Sequence, residues 1–265
     1  MSGPVASAAV TYARDGAVGV VTLNRPDSHN RMTEELLAGF SAALAAARAD
    51  REMRCLVITG TGPSFSAGAD FKAQVQRGGE ALLPNERSYA MYEPFLAVLD
   101  VEVPVIAAVS GHAVGGGFGL ALLCDVRIAS RTAKLGANFC RLGLAPGLGI
   151  SYLLPRLVGA SRAAELLFAG RLVTGEEAER IGLVSAAVDP DQVLPRALEL
   201  AGEFAASAPL AVRATKRALR DGLGLDVRGA AWRESFAQAA TLETDDFREG
   251  VAALLARRPP AFHGR

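Results

Sequence analysis

The sequence predicts an α/β fold: a mixed sheet built from ββα and βα units, followed by a helical C-terminal part. Three observations carry this. Up to about residue 190, short β-branched apolar runs alternate with segments of helical period. Beyond Pro190 the segments 191–206, 209–222, 226–241 and 243–257 all show helical spacing, with few β-branched runs between them. Near the middle, residues 110–125 (SGHAVGGGFGLALLCD) set a glycine triplet between a buried strand and an apolar helix. The chain divides accordingly into a core over residues 1–190 and a helical region over residues 191–265.

Composition bounds the function. The chain has 265 residues, 50% hydrophobic and 21% charged, with zero formal net charge. Such a chain is long enough for one large packed domain with a helical appendage. Zero net charge excludes a global field that would draw in nucleic acid, so an anionic ligand needs local Arg or Lys. No apolar run reaches membrane-spanning length, and the N-terminus lacks the basic-then-apolar order of a secretory signal. Cys55, Cys124 and Cys140 are scattered and read as reduced core residues of a cytoplasmic protein.

In chain order, residues 8–13 and 18–24 read as strands of a hairpin turning at Arg14-Asp15-Gly16. Residues 25–30 form a loop. Thr33 caps a helix in which Leu36, Leu37, Phe40 and Leu44 recur at helical spacing. Residues 55–59 are a strand, 60–69 a Gly- and Ser-rich loop, and 70–79 a polar stretch. Asn85 is placed to cap a helix running to about Leu99. The apolar run 103–109 is the central strand, 126–129 another strand, 137–149 irregular, and 150–157 an apolar helix.

The glycine triplet Gly115, Gly116 and Gly117 sits where a helix begins. The first turn of a helix has N–H groups without intrahelical partners, and the dipole adds positive charge there. Glycine lets a ligand approach the backbone. Two readings stay open on these residues alone: a site for an anion or developing oxyanion, or a tight strand–helix turn. Neither a Walker phosphate loop nor a dinucleotide fingerprint fits, because G-x-x-x-x-G-K-[ST] is missing and Leu120 stands at the third glycine of G-x-G-x-x-G.

Several motifs together resemble the crotonase superfamily of enoyl-CoA hydratases and isomerases. They are Ile58-Thr-Gly with Phe65-Ser-Ala-Gly-Ala-Asp70, the run Pro104 to Gly117, Cys124-Asp125, and Thr174-Gly-Glu-Glu-Ala with Gly182-Leu-Val. Thr22-Leu-Asn-Arg-Pro26 and the ending 257–264 (RRPPAFHG) match too, so the resemblance covers nearly the whole chain. It implies a crotonase-like spiral of ββα units and a helical C-terminal region that forms homotrimers or dimers of trimers. It implies an acyl-CoA thioester ligand, with coenzyme A as part of the substrate, no separate cofactor and no metal. The N–H groups of Ala69 and Gly116 would polarise the thioester carbonyl. Ala67, Asp70, Phe71, Gly115, Phe139 and Leu142 would line the substrate site, and Arg25, Lys72 and Arg257 would neighbour the phosphates. Asp27 departs from the lysine of hydratases; His29 and Arg31 are the nearby basic alternatives. Asp125 would be structural.

The departures bear on catalysis. The two hydratase glutamates would fall at Gly119 and Phe139, and the aspartate of some isomerases at Gly147. None of these can move a proton with its side chain. Glu86 and Glu93 on the preceding helix, and His112 after the central strand, are the candidate substitutes. Tyr89 and Tyr92 carry hydroxyls but read first as aromatic packing, and Asn138, Cys140 and Arg141 flank Phe139. Two functions remain: an enzyme working through an oxyanion hole with a non-standard base, or an acyl-CoA-binding protein without turnover. A serine peptidase on the related Clp-type fold is set aside, because no Ser, His and Asp occur in matching order.

Overall fold

The computed structural model describes residues 5–6, 9–69, 83–221 and 227–265. Val5–Ala6 (β1), Val10–Asp15 (β2) and Val18–Leu23 (β3) form an antiparallel meander. Glu34–Ala49 (α1) follows, and the Thr33 hydroxyl accepts from the Leu36 N–H at 3.3 Å, the expected cap. Next come Cys55–Gly60 (β4), Ser64–Ser66 (β5), Pro84–Leu96 (α2), Val105–Val109 (β6) and His112–Val114 (β7). Gly116–Leu123 (α3), Val126–Ser130 (β8), Lys134–Gly136 (β9), Ile150–Val158 (α4) and Ala160–Ala169 (α5) continue the chain. Val173–Thr174 (β10), Gly175–Arg180 (α6) and Ala186–Val188 (β11) precede the helical part. That part contains Val193–Ala205 (α7), Pro209–Asp221 (α8), Val227–Leu242 (α9) and Asp245–Ala256 (α10).

Among the described residues the strands form two sheets. The larger has the order β1-β2-β3-β4-β6-β8-β11 and is parallel from β3 onward. The smaller has the order β10-β9-β7-β5, with β5, β7 and β9 parallel and β10 antiparallel to β9. The smaller sheet was not expected, since residues 60–69 read as a loop. Its strands are two or three residues long, too short for a period-2 pattern to register. The helix expected to start at Asn85 begins at Pro84 instead, where the Glu86 carboxylate accepts from the Leu83 N–H at 2.9 Å.

Strand β4 is buried at every position, as a strand covered on both faces must be. Its alternation sends Leu56 and Ile58 to one core, with Leu36, Phe40 and Leu44 of α1 and Phe118 of α3. Cys55 and Val57 point to the other, where Ala197 and Ala201 of α7 pack one turn apart on the same face. Small side chains at those two positions let the helix lie close to the sheet. Burial pushes the Cys55 and Cys124 thiols up to about 12, so both are inert core residues. Cys140, expected in the core with them, is exposed.

Two polar ties fix the C-terminal helices. Lys216 on α8, only 9% exposed, donates to the Val103 carbonyl at 2.7 Å and pairs with Asp125 at 2.8 Å. The same Asp125 oxygen accepts from the Val105 N–H at 2.7 Å, so α8 is pinned to the start of β6. Asp125 is thus structural in the sense expected. Farther on, Asp246 accepts from the N–H groups of His263 and Gly264, and Glu249 accepts from Arg258 and the Ala261 N–H. The chain end therefore folds back along α10.

Two outcomes follow from these ties. Lys216→Met should lower stability by about 1–3 kcal/mol in urea unfolding, because a charged hydrogen-bond donor is lost from a nearly buried position. The hydrogen bond from Arg258 holds the Glu249 carboxyl at about 2, far below its ordinary value. A depressed folded pKa stabilises above the unfolded value, about 4.3, and that stabilisation fades as pH falls toward the folded one. Hydrogen exchange at Ala261, corrected for intrinsic rate, should therefore accelerate between about pH 4.5 and pH 2, and Glu249→Gln should reproduce the loosening at pH 7.

Candidate active site

The site is built where three loops converge. Asn30 is fully buried and sits at φ 51, the left-handed region that Asn tolerates better than most residues. Its amide donates to the Thr61 carbonyl at 3.0 Å and the Ser64 carbonyl at 2.7 Å. Its side-chain oxygen accepts from the Arg25 N–H at 2.7 Å, and its main-chain carbonyl accepts from the Ser66 hydroxyl at 2.7 Å. One side chain thus clamps the 25–32 loop to the segment carrying β5.

Beyond β5 the backbone N–H groups divide. Ala67 donates to the His29 carbonyl at 3.0 Å, and Gly68 to the Ser66 hydroxyl at 3.3 Å. Met32 pairs in parallel with Ala69 through its own N–H to the Gly68 carbonyl at 2.9 Å. In a parallel bridge of that kind, the N–H of Ala69 points away from Met32. Among the described residues it meets no acceptor.

The glycine triplet meets this loop edge on. Gly115 is the N-cap of α3 at φ 58, and its N–H donates to the Gly136 carbonyl at 3.0 Å. Gly116 opens the helix with an N–H that bonds to no acceptor among the described residues, as the first helical turn requires. A Cβ on Gly68 would lie 2.8 Å from the Gly116 nitrogen, so the 67–69 loop and the helix start are in contact. A Cβ on Gly117 would lie 2.1 Å from the Ser66 carbonyl oxygen. The tight-turn reading of the triplet holds at Gly117. Gly117 serves close packing, and Gly116 presents a free N–H beside the Ala69 loop.

The positions that would carry acids are closed off. A Cβ on Gly119 would lie 2.6 Å from the Leu148 side chain, which is 2% exposed. Leu148 holds φ 54, so its side chain is turned onto α3 by a strained backbone that no sequence pattern reports. Phe139 is buried, with its ring 3.6 Å from where a Gly115 Cβ would lie. A Cβ on Gly147 would lie 2.2 Å from the Tyr92 hydroxyl. Tyr92 is half-buried on α2, and burial raises its pKa.

The remaining expected site residues are placed as follows. Ala67, Ala69, Gly115, Gly116 and Phe139 come together around the α3 N-terminus. Leu142 is half-exposed at the end of a 3-10 turn, Phe139–Leu142. His112 is exposed on β7, where its Nδ1 accepts from the Lys134 N–H at 3.0 Å, so that nitrogen carries no proton. Glu86 is exposed and committed to the α2 N-terminus, and Glu93 is exposed on the same helix. Arg25 is ion-paired with Glu35. Arg257 is exposed at the C-terminal cap of α10. Asp70, Phe71 and Lys72 lie outside the described residues. Among the described residues no cluster of His, Cys, Asp and Glu could hold a metal, and no helix is long and apolar enough to cross a membrane. Sequence reasoning missed Asn30 and Leu148 entirely. An Asn closing a Pro-containing loop was the one available hint.

Comparison with known proteins follows the same architecture. The family described as enoyl-CoA hydratase/isomerase matches residues 13–265. The crotonyl-CoA hydratase of Syntrophomonas wolfei is 36% identical over 254 residues, covering 96% of this chain and 97% of that protein. The 2,3-dehydroadipyl-CoA hydratase of Escherichia coli is 36% identical over 255 residues, covering 96% and 98%. The solved enoyl-CoA hydratase of Bacillus anthracis superposes with a TM-score of 0.90 at 32% identity, covering 97% of this chain and all 100% of that one.

Asn30→Ala should cost about 2–4 kcal/mol of stability, since buried partners are left unpaired. It should also release the 67–69 loop from the α3 N-terminus. Thermal unfolding measures the first effect, and hydrogen exchange at residues 66–69 the second.

Proposed function

The chain belongs to the enoyl-CoA hydratase/isomerase family, and on that premise we propose that it binds acyl-CoA thioesters and stabilises a thioester enolate with the N–H groups of Ala69 and Gly116. The observation that carries this reading is the pair of N–H groups, free of acceptors among the described residues, on two backbone segments in direct contact. Charge accumulates on the thioester oxygen as an enolate forms, and donors fixed in a buried site lower that barrier without reorganising. Loss of one such donor costs ~10²–10³ in rate. The helix dipole at Gly116 acts in the same direction.

The proton-handling half of hydration is missing. Two relatives carry hydratase names, yet Gly119 and Phe139 occupy the two glutamate positions here, and Leu148 fills the space over Gly119. A water aligned on the β-carbon would face Phe139 and Leu148 with no carboxylate to hold it. The chain is therefore proposed to be a poor crotonyl-CoA hydratase. The apolar wall of Phe139 and Leu148 equally favours the second reading, acyl-CoA binding without turnover. Arg25, Lys72 and Arg257 remain the proposed phosphate neighbours, Arg25 also pairing with Glu35 on an exposed surface.

Assembly and location belong to the same proposal. Leu219, Trp232, Phe236, Leu254 and Leu255 are more than half exposed on α8, α9 and α10. Apolar surface of that extent supports homotrimers or dimers of trimers. The buried, inert thiols support a cytoplasmic location.

Calorimetric titration with butyryl-CoA tests binding, and loss of enoyl absorbance with crotonyl-CoA tests hydration. We expect saturable one-to-one binding and hydration far below the rates of efficient enzymes. Turnover on the order of 10²–10³ per second would overturn the poor-hydratase reading. An absence of binding at millimolar thioester would overturn the ligand assignment itself.

A further inference from the structure

Tyr92 offers a hydroxyl beside the apolar side chains of Phe139 and Leu148. Its hydroxyl occupies the space that any side chain at position 147 would need, since a Cβ there would lie 2.2 Å from the oxygen and 2.6 Å from Cζ. Glycine at 147 is thus what admits the hydroxyl. The next residue, Leu148, covers Gly119, three positions along α3 from Gly116. Three helical residues rise about 4.5 Å. An extended acyl chain spans that distance in roughly three to four bonds of about 1.5 Å each. For a thioester carbonyl at Gly116 and an acyl chain laid along α3, the surroundings of Gly119 and Leu148 would meet the third or fourth acyl carbon, and Tyr92 touches the residue just before Leu148.

The hydroxyl is also unengaged. Tyr12 shows the ordinary arrangement, with its hydroxyl donating to Asp50 at 3.0 Å. Tyr92 packs its ring against the main core, yet its hydroxyl bonds to no group among the described residues. A half-buried hydroxyl held beside Gly147 by its packed ring, with no partner among the described residues, is suited to an incoming acceptor.

We infer that Tyr92 is a specificity-determining residue, donating a hydrogen bond to an oxygen at the third or fourth carbon of the acyl group, so that the site selects oxygenated acyl-CoA thioesters over plain alkyl ones. This rests on the acyl-CoA reading above and narrows its substrate class. Burial raises the Tyr92 pKa, so the group stays protonated near neutral pH and donates rather than abstracts. Phe139 and Leu148 complete the selection by leaving the rest of that wall apolar.

The test titrates the full chain with butyryl-CoA, 3-hydroxybutyryl-CoA and 4-hydroxybutyryl-CoA. The unmodified protein should bind one of the hydroxylated thioesters about 3–10-fold more tightly than butyryl-CoA, the range of one neutral hydrogen bond. In Tyr92→Phe that ratio should fall to about one. Gly147→Ala, which displaces the hydroxyl with a single methyl, should do the same and guards against a folding defect in either variant. A ratio of one in the unmodified protein, or a ratio preserved in both variants, overturns the inference while leaving acyl-CoA binding in place. Failure of all three thioesters to bind overturns the acyl-CoA reading and this inference with it.

Discussion

Everything at the site depends on one close approach, that of the Ser66 carbonyl to Gly117. No side chain fits between them, because a Cβ at 117 would sit 2.1 Å from that oxygen. The contact sets α3 directly on the short strand β5, and through it brings Gly116 beside Gly68 and Ala69. Asn30 and Ser66 hold the loop side of the junction by hydrogen bonds that are themselves buried. Buried polar groups of this kind give rigidity only when each is satisfied. Here all four polar functions of Asn30 have partners: its amide, side-chain oxygen, main-chain carbonyl and main-chain N–H, the last donating to the Arg25 carbonyl at 2.9 Å. The donor pair proposed above would need such rigidity, since loose donors reorganise as charge develops.

The acid positions show how a family scaffold changes character through packing rather than through loss alone. At Gly119 the missing side chain is replaced by Leu148 from another segment, and at Gly147 by the Tyr92 hydroxyl. Neither glycine opens onto an empty space. The substitutions form a set: Leu148 requires a small residue at 119, and Tyr92 requires one at 147. A larger side chain at either position would demand that its neighbour move.

The surrounding architecture keeps this junction fixed. The central strands are buried on both faces, one face against α1 and α3 and the other against α7. Lys216 and Asp125 then tie α8 to the start of β6, the strand that leads to β7 and α3. Several large apolar side chains are exposed on α8 to α10, among them Leu219, Trp232, Phe236, Leu254 and Leu255.

The main strands of the larger sheet, the Thr33 cap, the four C-terminal helices and the helix start at the glycine triplet were legible in the sequence, whereas Ala160–Ala169, Gly175–Arg180 and Ala186–Val188 were not. Each legible feature is written in local pattern: apolar period, cap residue or glycine at a turn. The family motifs likewise named Ala69 and Gly116 as the residues of interest. What only the tertiary structure decided are the contacts between segments distant in sequence. The small sheet was invisible because its strands are two or three residues long. His112 and Glu86 were reasonable proton-handling candidates by type, yet each is engaged by a main-chain N–H on an exposed surface. Tyr92 read as packing, and its ring does pack, but the free hydroxyl depends on glycine 55 residues downstream. Leu148 closes Gly119 only because its backbone turns left-handed. Local sequence fixes which conformations are cheap, whereas which side chain fills which gap is settled by the volumes of all the segments that meet there.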